Sequence, residues 1–441
     1  MTTATHSPAR RDFALVRLCA AGAVLFGFAA AAPWIVRSFD YKVFIPALAA
    51  SGFITILATR LAQKVPVRTG LMVVLGFALG MRLVLVGVEP LLSTDLYRYI
   101  WDGRVQAAGI NPYLHVPADP ALAALRDGAI YPYINRADYA VTAYPPVAQV
   151  FFLAVTRISE SVTAMRLAMV GCEVVIVAVI LALLRRFALP QTTVVAYAWH
   201  PLAVFEIANN GHVEALMVAL MMLGVWLLAS GRNVAGAGAV ALAALAKPYA
   251  VLILPAFWRP WDWRVPLAVV AAILVCYLPY LGAGWGMFGF LTGYVSEEGL
   301  ATGSGIWLAA LTQALLGNVP GLTAVYVAAA AAIMGWLGLR VAFGAQRTPR
   351  QSIADIVPLL TAGLFLMSPN YAWYFLALVP FIPLGAGAPT QLPMWALTLG
   401  AFLLYRPIYL PHNELIWKTL ATIPFLVAAA WMWRHSLRGG H

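Results

Sequence analysis

Long apolar runs follow one another along most of the chain, and short polar or basic segments separate them. The runs are continuous and do not alternate with polar positions, so they predict helices and not strands. About 20 apolar residues are needed for a helix to cross the hydrocarbon core of a bilayer. The pattern predicts an all-α polytopic membrane protein with about twelve transmembrane helices. These lie near residues 13–37, 43–62, 70–92, 162–185, 192–208, 213–230, 265–284, 319–344, 352–368, 371–387, 391–405 and 415–434.

The composition agrees with a membrane solvent. Hydrophobic residues make up 62% of the 441 residues and charged residues 10%, and mean hydropathy is +0.83. Soluble proteins carry about 25% charged residues. Cys19, Cys172 and Cys276 all lie inside apolar runs, without metal or disulfide spacing, and are expected to pack. We expect one integral membrane domain over residues 1–441.

The basic residues predict the orientation. The net charge is +11, but Lys and Arg fall mostly in short loops, which indicates topology and not a nucleic-acid partner. Basic segments such as 60–68, 185–186, 259–264 and 434–438 share one side, which is the cytoplasm by the positive-inside rule. The expected location is the inner (plasma) membrane with cytoplasmic termini. Residues 92–145 and 285–318 then form loops on the periplasmic or extracellular side.

Segment 234–257 is apolar but interrupted by Lys247–Pro248. A single span would place Trp258–Arg264 outside, whereas a broken hairpin of two half-helices keeps these charges inside. We favour the hairpin, because proline removes a backbone donor and broken helices at membrane depth tend to line cavities. Lys247 at the break either neutralises a carrier phosphate or extends its ammonium group to the inner interface.

The first outer loop, residues 92–145, is long for a connector and carries nine charged residues. Its opening segment 93–104 predicts a short amphipathic helix at the outer interface, with Asp95, Arg98 and Asp102 on one face. Glycosyl transfer from a lipid phosphate needs a base for the acceptor hydroxyl and cations for the leaving phosphate. The alternative is an interfacial helix with a plain ion pair. The apolar side chains Leu96, Ile100 and Trp101 are expected to face the membrane interface.

Three motifs in this loop resemble the first outer loop of GT-C glycosyltransferases. They are Asp95-x-Tyr97-Arg98-Tyr99-x-Trp101-Asp102-Gly103-Arg104, Gly109-Ile110-Asn111-Pro112-Tyr113 and Tyr144-Pro145-Pro146. The closest likeness is to bacterial mannosyltransferases that use polyprenyl-phosphate mannose (a glycosyltransferase family 87-like group). This likeness implies a GT-C-like helical bundle whose loop carries short interfacial helices. In many GT-C proteins the loop follows the first span, whereas here it follows the third.

The resemblance also implies roles for particular residues. Asp95 matches the acidic position that acts as the base, and Asp102 is the second choice. Further substrate contacts implied by the motifs are Tyr97, Arg98, Arg104, Asn111 and Tyr113.

A second polar cluster, Asn210, His212 and Glu214, lies at a predicted outer turn. It resembles the family pattern of a His or Asn followed by an acid two residues later, which would bind sugar hydroxyls. The alternative is a polar turn that only reverses the chain. A divalent cation also stays open as a cofactor, although a His/Glu pair lacks a full ligand set.

Two further groups complete the candidate substrate-binding residues. Tyr371 and Trp373 either stack on sugar faces or belong to an interfacial aromatic belt. Arg406 is a candidate phosphate contact in the last outer loop.

Together these features predict an inverting glycosyltransferase that moves a hexose, by resemblance mannose, from a polyprenyl-phosphate donor. The acceptor is a glycan or a lipid-linked glycan on the outer face of the membrane. The sequence has no glycine-rich phosphate loop after a predicted strand, so it does not indicate a nucleotide-sugar donor. The alternatives are a secondary transporter or a non-catalytic membrane partner in the export of envelope polysaccharide or lipid.

Overall fold

The protein is all-α. The structure, a computed structural model, describes residues 8–317, 319–344, 348–385, 391–405 and 414–438. Over these ranges the regular elements are α-, 3₁₀- and π-helices, and none is a strand. This confirms the helical class expected from the continuous apolar runs.

Seven helices within the described ranges are long and apolar enough to cross a membrane. They are Asp12–Ala62, Val67–Val86, Val162–Arg186, Arg264–Glu297, Leu322–Ala342, Pro349–Met367 and Glu414–His435. The first belongs to the helix Pro8–Ala62, which is interrupted at Asp40, where φ is +65°. Six shorter apolar helices are Pro146–Thr156, Glu214–Ala229, Asn233–Ala244, Trp307–Leu316, Ala372–Gly385 and Gln391–Tyr405. The total of about twelve spans stays a prediction.

The chain divides into two compact units. The first comprises Met1–Leu91, Val177–Asn209 and Tyr371–His441. Its α-helices are Pro8–Ala62, Val67–Val86, Val195–Ala198, Pro201–Ala203, Gln391–Gly400 and Glu414–Arg438. Its 3₁₀-helices are Gln191–Val194, Ala372–Phe381, Pro383–Gly385 and Ala401–Tyr405, and a π-helix covers Val204–Asn209.

The second unit comprises Leu92–Ile176 and Asn210–Asn370. Its α-helices are Asp95–Ala107, Pro146–Thr156, Glu214–Ala229, Asn233–Ala244, Arg264–Tyr277, Leu291–Glu297, Trp307–Leu316, Leu322–Ala342 and Pro349–Met367. Its 3₁₀-helices are Pro120–Leu125, Tyr131–Tyr133, Pro248–Ala256 and Leu278–Phe288. The helix Val162–Arg186 starts in this unit and continues into the first.

The apolar segment 234–257 is broken near its middle. The α-helix ends at Ala244, and a 3₁₀-helix begins at Pro248 after Lys247 in an extended conformation (φ −146°, ψ 121°). Pro248 and Pro255 each remove a backbone donor, which is incompatible with an uninterrupted α-helix. The break places Lys247 between the two helical pieces. Whether the pieces form a membrane hairpin stays a prediction.

Two glycines bring the helices Glu214–Ala229 and Asn233–Ala244 into close contact. A Cβ atom on Gly224 would lie 2.9 Å from the carbonyl oxygen of Gly236, and one on Gly236 would lie 3.0 Å from that of Gly224. Small residues allow helix backbones to approach in this way in a membrane. The pairing fixes the start of one helix, at Glu214, relative to the segment that leads to Lys247.

Candidate active site

The helix Asp95–Ala107, here called the loop helix, carries the first candidate residues. Its N-terminus follows Thr94, and the Ser93 hydroxyl accepts a hydrogen bond from the Asp95 backbone N–H at 3.2 Å. Asp95 in the first turn is favoured by the positive end of the helix dipole. The helix ends before Gly109, whose φ of +78° suits glycine.

The apolar side chains of the loop helix are covered by protein. Leu96 and Ile100 are 0% exposed and Trp101 is 1% exposed. The expectation that these side chains face the membrane interface is therefore wrong. The helix packs against Pro146–Thr156, where a Cβ on Gly103 would lie 2.6 Å from the Phe152 carbonyl oxygen. Burial on both sides holds the helix rigidly in the second unit.

Asp95 is half-buried, and its two carboxylate oxygens have different partners. Oδ1 accepts a hydrogen bond from Asn135 Nδ2 at 2.7 Å. Oδ2 lies 3.4 Å from the Tyr144 hydroxyl, which donates to it. Neither partner is a cation. The carboxylate is therefore oriented by neutral donors and remains available as a proton acceptor.

A charged pair lies close to Tyr144, and its Lys247 side chain is 13% exposed. Lys247 Nζ is 2.9 Å from Glu214 Oε1, and the side chain of Glu214 is 0% exposed. The same ammonium group lies 5.6 Å from the centre of the Tyr144 ring. His212 Nδ1 lies 3.9 Å from Glu214 Oε2, also in a fully buried position. Asp95, Tyr144, Lys247, Glu214 and His212 thus form one cluster, which we call the acid–lysine cluster.

The electrostatics of this cluster follow from burial. Burial, and to a smaller extent the negative charge of Asp95, raises the pKa of Tyr144 well above its usual value. The phenol therefore stays protonated and donates a hydrogen bond. Burial lowers the pKa of His212 against the opposing effect of Glu214 and Asp95. The imidazole is therefore neutral near pH 7. The only cation among these five groups is Lys247.

Arg98 and Asp102 form a separate, fully engaged network. Arg98 Nε donates to Asp102 Oδ1 at 2.8 Å, and Asp102 is 1% exposed. Asp102 Oδ2 accepts hydrogen bonds from Thr142 Oγ1 at 2.5 Å and Gln149 Nε2 at 3.0 Å. Arg98 also donates to the Ala140 carbonyl oxygen at 3.1 Å. These bonds join the loop helix to the end of the first outer loop.

Other motif residues also hold the loop together. Arg104 pairs with Asp127 and Glu160, each at 2.7 Å. The Arg104 guanidinium contributes to lowering the pKa of Asp127 to about 2 against the cost of burial. The Asn111 side chain accepts from the Tyr113 backbone N–H at 3.1 Å.

Tyr113 and Asn210 make similar internal contacts. The Tyr113 hydroxyl donates to the Tyr144 carbonyl oxygen at 2.7 Å. Asn210 is 0% exposed, and its side chain accepts from the Leu92 backbone N–H at 3.0 Å. All these bonds are internal to the second unit.

Unlike Tyr113 and Asn210, Tyr97 contacts an aromatic ring that is exposed to solvent. Its ring stacks on Tyr133 with centroids 4.9 Å apart and planes 28° apart. Tyr133 is 52% exposed. Both this stacking and the Asp95–Asn135 hydrogen bond join the start of the loop helix to residues 133–135.

The remaining candidates belong to the first unit or lie outside the described residues. Tyr371 and Trp373 belong to the first unit, where their rings stack at 4.4 Å with planes 8° apart. The choice between a sugar platform and an aromatic belt stays open for them. Arg406 lies outside the described residues. Among those that are described, no group of three His, Cys, Asp or Glu side chains could hold a metal ion.

Two residues of this site were not among the sequence candidates. Tyr144 belongs to the Tyr-Pro-Pro motif, but no pattern indicated that its hydroxyl would reach Asp95. Asn135 lies 40 residues from Asp95 in sequence, in a segment without periodicity. Only the folded loop brings them together.

Comparison with known proteins gives the following matches. The profile of the alpha-(1->6)-mannopyranosyltransferase family, N-terminal domain, matches residues 81–261. This range contains the loop helix and the whole acid–lysine cluster. The resemblance to mannosyltransferases is confirmed.

One curated relative adds to this match. The chain is 27% identical over 175 residues to alpha-(1->6)-mannopyranosyltransferase A of Mycobacterium tuberculosis. The match covers 40% of this chain and 34% of the relative, so it spans about a third of the relative's length. No solved structure matches the chain.

Proposed function

We propose that this protein is a membrane mannosyltransferase that takes mannose from a polyprenyl-phosphate donor and adds it to a glycan or lipid-linked acceptor. The observation that carries this proposal is the acid–lysine cluster. It combines a half-buried carboxylate oriented by neutral donors with one ammonium group on a side chain that is 13% exposed. A base and a cation are the two functions that glycosyl transfer from a phosphate needs.

The proposed reaction is a single displacement with inversion. The acceptor oxygen attacks the anomeric carbon of mannose, and a carbon–oxygen bond forms. The bond from that carbon to the phosphate oxygen breaks, and its electron pair leaves with polyprenyl phosphate. Asp95 takes the proton of the acceptor hydroxyl, and the Tyr144 hydroxyl steadies the carboxylate.

Lys247 is the proposed contact for the leaving phosphate. Its ammonium group is held by Glu214 at 2.9 Å and lies 5.6 Å from the centre of the Tyr144 ring. An ionisable side chain within a membrane segment is costly and is by default a candidate functional residue. Arg98 suits this role less well, because Asp102 and the Ala140 carbonyl oxygen already bind its guanidinium.

The comparisons support the sugar and the reaction class. The matched relative is named as an alpha-(1->6)-mannopyranosyltransferase, and the family match covers the segment that contains the cluster. The same names suggest an α-(1→6) linkage for this protein.

The placement in the cell is also part of the proposal. We place the protein in the inner membrane as a GT-C-like bundle of about twelve spans, with residues 92–145 on the outer side. Basic residues in the opposite loops support this orientation. A lipid-linked donor fits an outer site, because a polyprenyl carrier brings the sugar to that leaflet.

The test is the conversion of synthetic polyprenyl-phosphate mannose and an α-(1→6)-mannosyl oligosaccharide to a longer glycan, followed by mass spectrometry. Asp95→Asn should lower turnover by about 10²- to 10⁴-fold, the usual contribution of a general base. Binding of the donor should persist, because the amide keeps the shape of the side chain.

Asp138→Asn is the matched control, since Asp138 is an exposed aspartate in the same loop. It should leave turnover unchanged. Normal turnover in Asp95→Asn would contradict the proposed base. Movement of the intact donor across the membrane without transfer would favour a transporter.

A further inference from the structure

The carboxylate of Asp95 separates two surroundings of opposite character. On the Tyr144 side, the neighbouring His212 and Glu214 are 0% exposed. On the Asn135 side, the neighbouring Tyr133 ring is 52% exposed. An acceptor that arrives from water would therefore meet the exposed Tyr133 side first.

The exposed side presents a flat aromatic surface. The Tyr97 and Tyr133 rings stack with their planes 28° apart, and Tyr133 stays 52% exposed while its ring is in contact with Tyr97. Tyrosine rings combine an apolar face with a polar edge. The C–H groups on one face of a pyranose ring pack well on such a surface, and the hydroxyl groups around the sugar remain available for hydrogen bonds.

We propose that the Tyr97–Tyr133 pair is the acceptor subsite and binds the terminal pyranose ring of a glycan. This inference rests on the proposed function and adds which residues hold the acceptor. Tyr97 and Tyr133 each lie two residues from a member of the Asp95–Asn135 hydrogen bond, so an acceptor bound at the pair is held near the start of the loop helix, where Asp95 lies. Lys247 is left to the donor phosphate.

Tyr133 is the residue that decides the proposal. A purely structural Tyr97–Tyr133 pair would only fasten residues 131–133 to the loop helix. A subsite would also determine affinity for the acceptor and leave affinity for the donor unchanged. These two roles are separated by measuring the two affinities independently.

The experiment measures binding of an α-(1→6)-linked mannotriose to the full-length protein in detergent, by saturation-transfer NMR and calorimetry, without donor. Tyr133→Ala should weaken binding about five- to tenfold, the range expected for loss of one stacked ring. Tyr133→Phe keeps the ring and should bind within about twofold of the unchanged protein.

Tyr139→Ala is the matched control. Tyr139 is 59% exposed in the same loop, but its ring contacts Phe290 and not Tyr97. It should bind the trisaccharide as the unchanged protein does. In turnover assays, Tyr133→Ala should raise the KM for the acceptor and leave the KM for the donor unchanged.

Unchanged trisaccharide binding in Tyr133→Ala, or an equal loss in Tyr139→Ala, would overturn the subsite. Equal weakening of donor and acceptor, together with a lower melting temperature, would show a structural role only and overturn it as well. Failure of the proposed function would look different. The trisaccharide would still bind through Tyr133, but no mannose would be transferred from the polyprenyl-phosphate donor.

Discussion

At the scale of single residues, the two aspartates of the loop helix differ in their burial and in the hydrogen-bond donors around their carboxylates. Asp102 is buried and receives hydrogen bonds from Arg98, Thr142 and Gln149. Asp95 is half-buried, and the donors to its carboxylate, Asn135 and Tyr144, are both neutral. We infer that Asp102 stabilises the loop, whereas Asp95 is the group suited to accept a proton.

This difference predicts separate outcomes for the two positions. Asp102→Ala should destabilise the protein by about 3–5 kcal/mol, because it leaves the buried guanidinium of Arg98 without its counter-charge. The measurement is the melting temperature of the purified protein. Asp95→Ala should shift that temperature much less. Equal melting temperatures for the two variants would contradict the structural role of Asp102.

The sequence could predict which residues carry charge in the loop, but not how they pair. The spacing of Asp95, Arg98 and Asp102 indicated one shared face, and the structure pairs Arg98 with Asp102 one turn later. The partners Thr142 and Gln149 come from a different segment, so no local pattern reports them. For the same reason, no local pattern predicts the hydrogen bond that Asn135 donates to Asp95.

At the scale of elements, the position of Lys247 depends on how two short helices pack. Glu214–Ala229 and Asn233–Ala244 touch through Gly224 and Gly236. The charged pair Glu214–Lys247 joins the start of the first helix to the residue after the second. Any change that separates the helices should therefore also move the ammonium group away from Tyr144.

Gly236→Val tests this coupling. Its side chain would collide with the Gly224 carbonyl oxygen and with Phe257, so both the melting temperature and donor affinity should fall. Overpacking of this kind typically costs about 1–3 kcal/mol. The readouts are thermal unfolding and binding of the polyprenyl-phosphate donor.

Gly238→Val is the matched control on the same helix. Nothing lies within 4 Å of a Cβ atom at Gly238, so this variant should behave as the unchanged protein in both assays. A loss of donor affinity in Gly238→Val as large as that in Gly236→Val would show that the helix contact is not the cause.

The break at Lys247–Pro248 was predictable because proline acts locally on the backbone. The burial of the loop helix could not be predicted from the sequence. Its pattern of apolar and polar positions also fits an interfacial helix, and only the close approach at Gly103 shows that another helix covers it. Amphipathic pattern alone does not distinguish a lipid surface from a protein surface.

At the scale of the whole molecule, the hydropathy of the chain fixes the class of protein, and the basic loops predict its orientation. The orientation can be checked by cysteine labelling. After replacement of Cys19, Cys172 and Cys276, Ala124→Cys in the exposed part of the first outer loop should react with a membrane-impermeant maleimide in intact cells. Trp263→Cys, at a position 62% exposed, should react only after the cells are permeabilised.

The reverse labelling pattern would place the acid–lysine cluster on the cytoplasmic side and would contradict a donor carried in the outer leaflet. Labelling of both positions in intact cells would instead place them on the same side of the membrane. That result would contradict the odd number of spans that the orientation predicts between them.

The bond between Asp95 and Asn135 has a consequence for biogenesis. Its two ends lie 40 residues apart, and Lys247 emerges from the ribosome later still. On the proposed mechanism, the Asp95 carboxylate therefore has no Asn135 partner until those 40 residues have followed it, and the proposed base and cation come together only after more than half of the polypeptide has been made. The mechanism thus predicts that competence for transfer arises late, as a product of tertiary assembly.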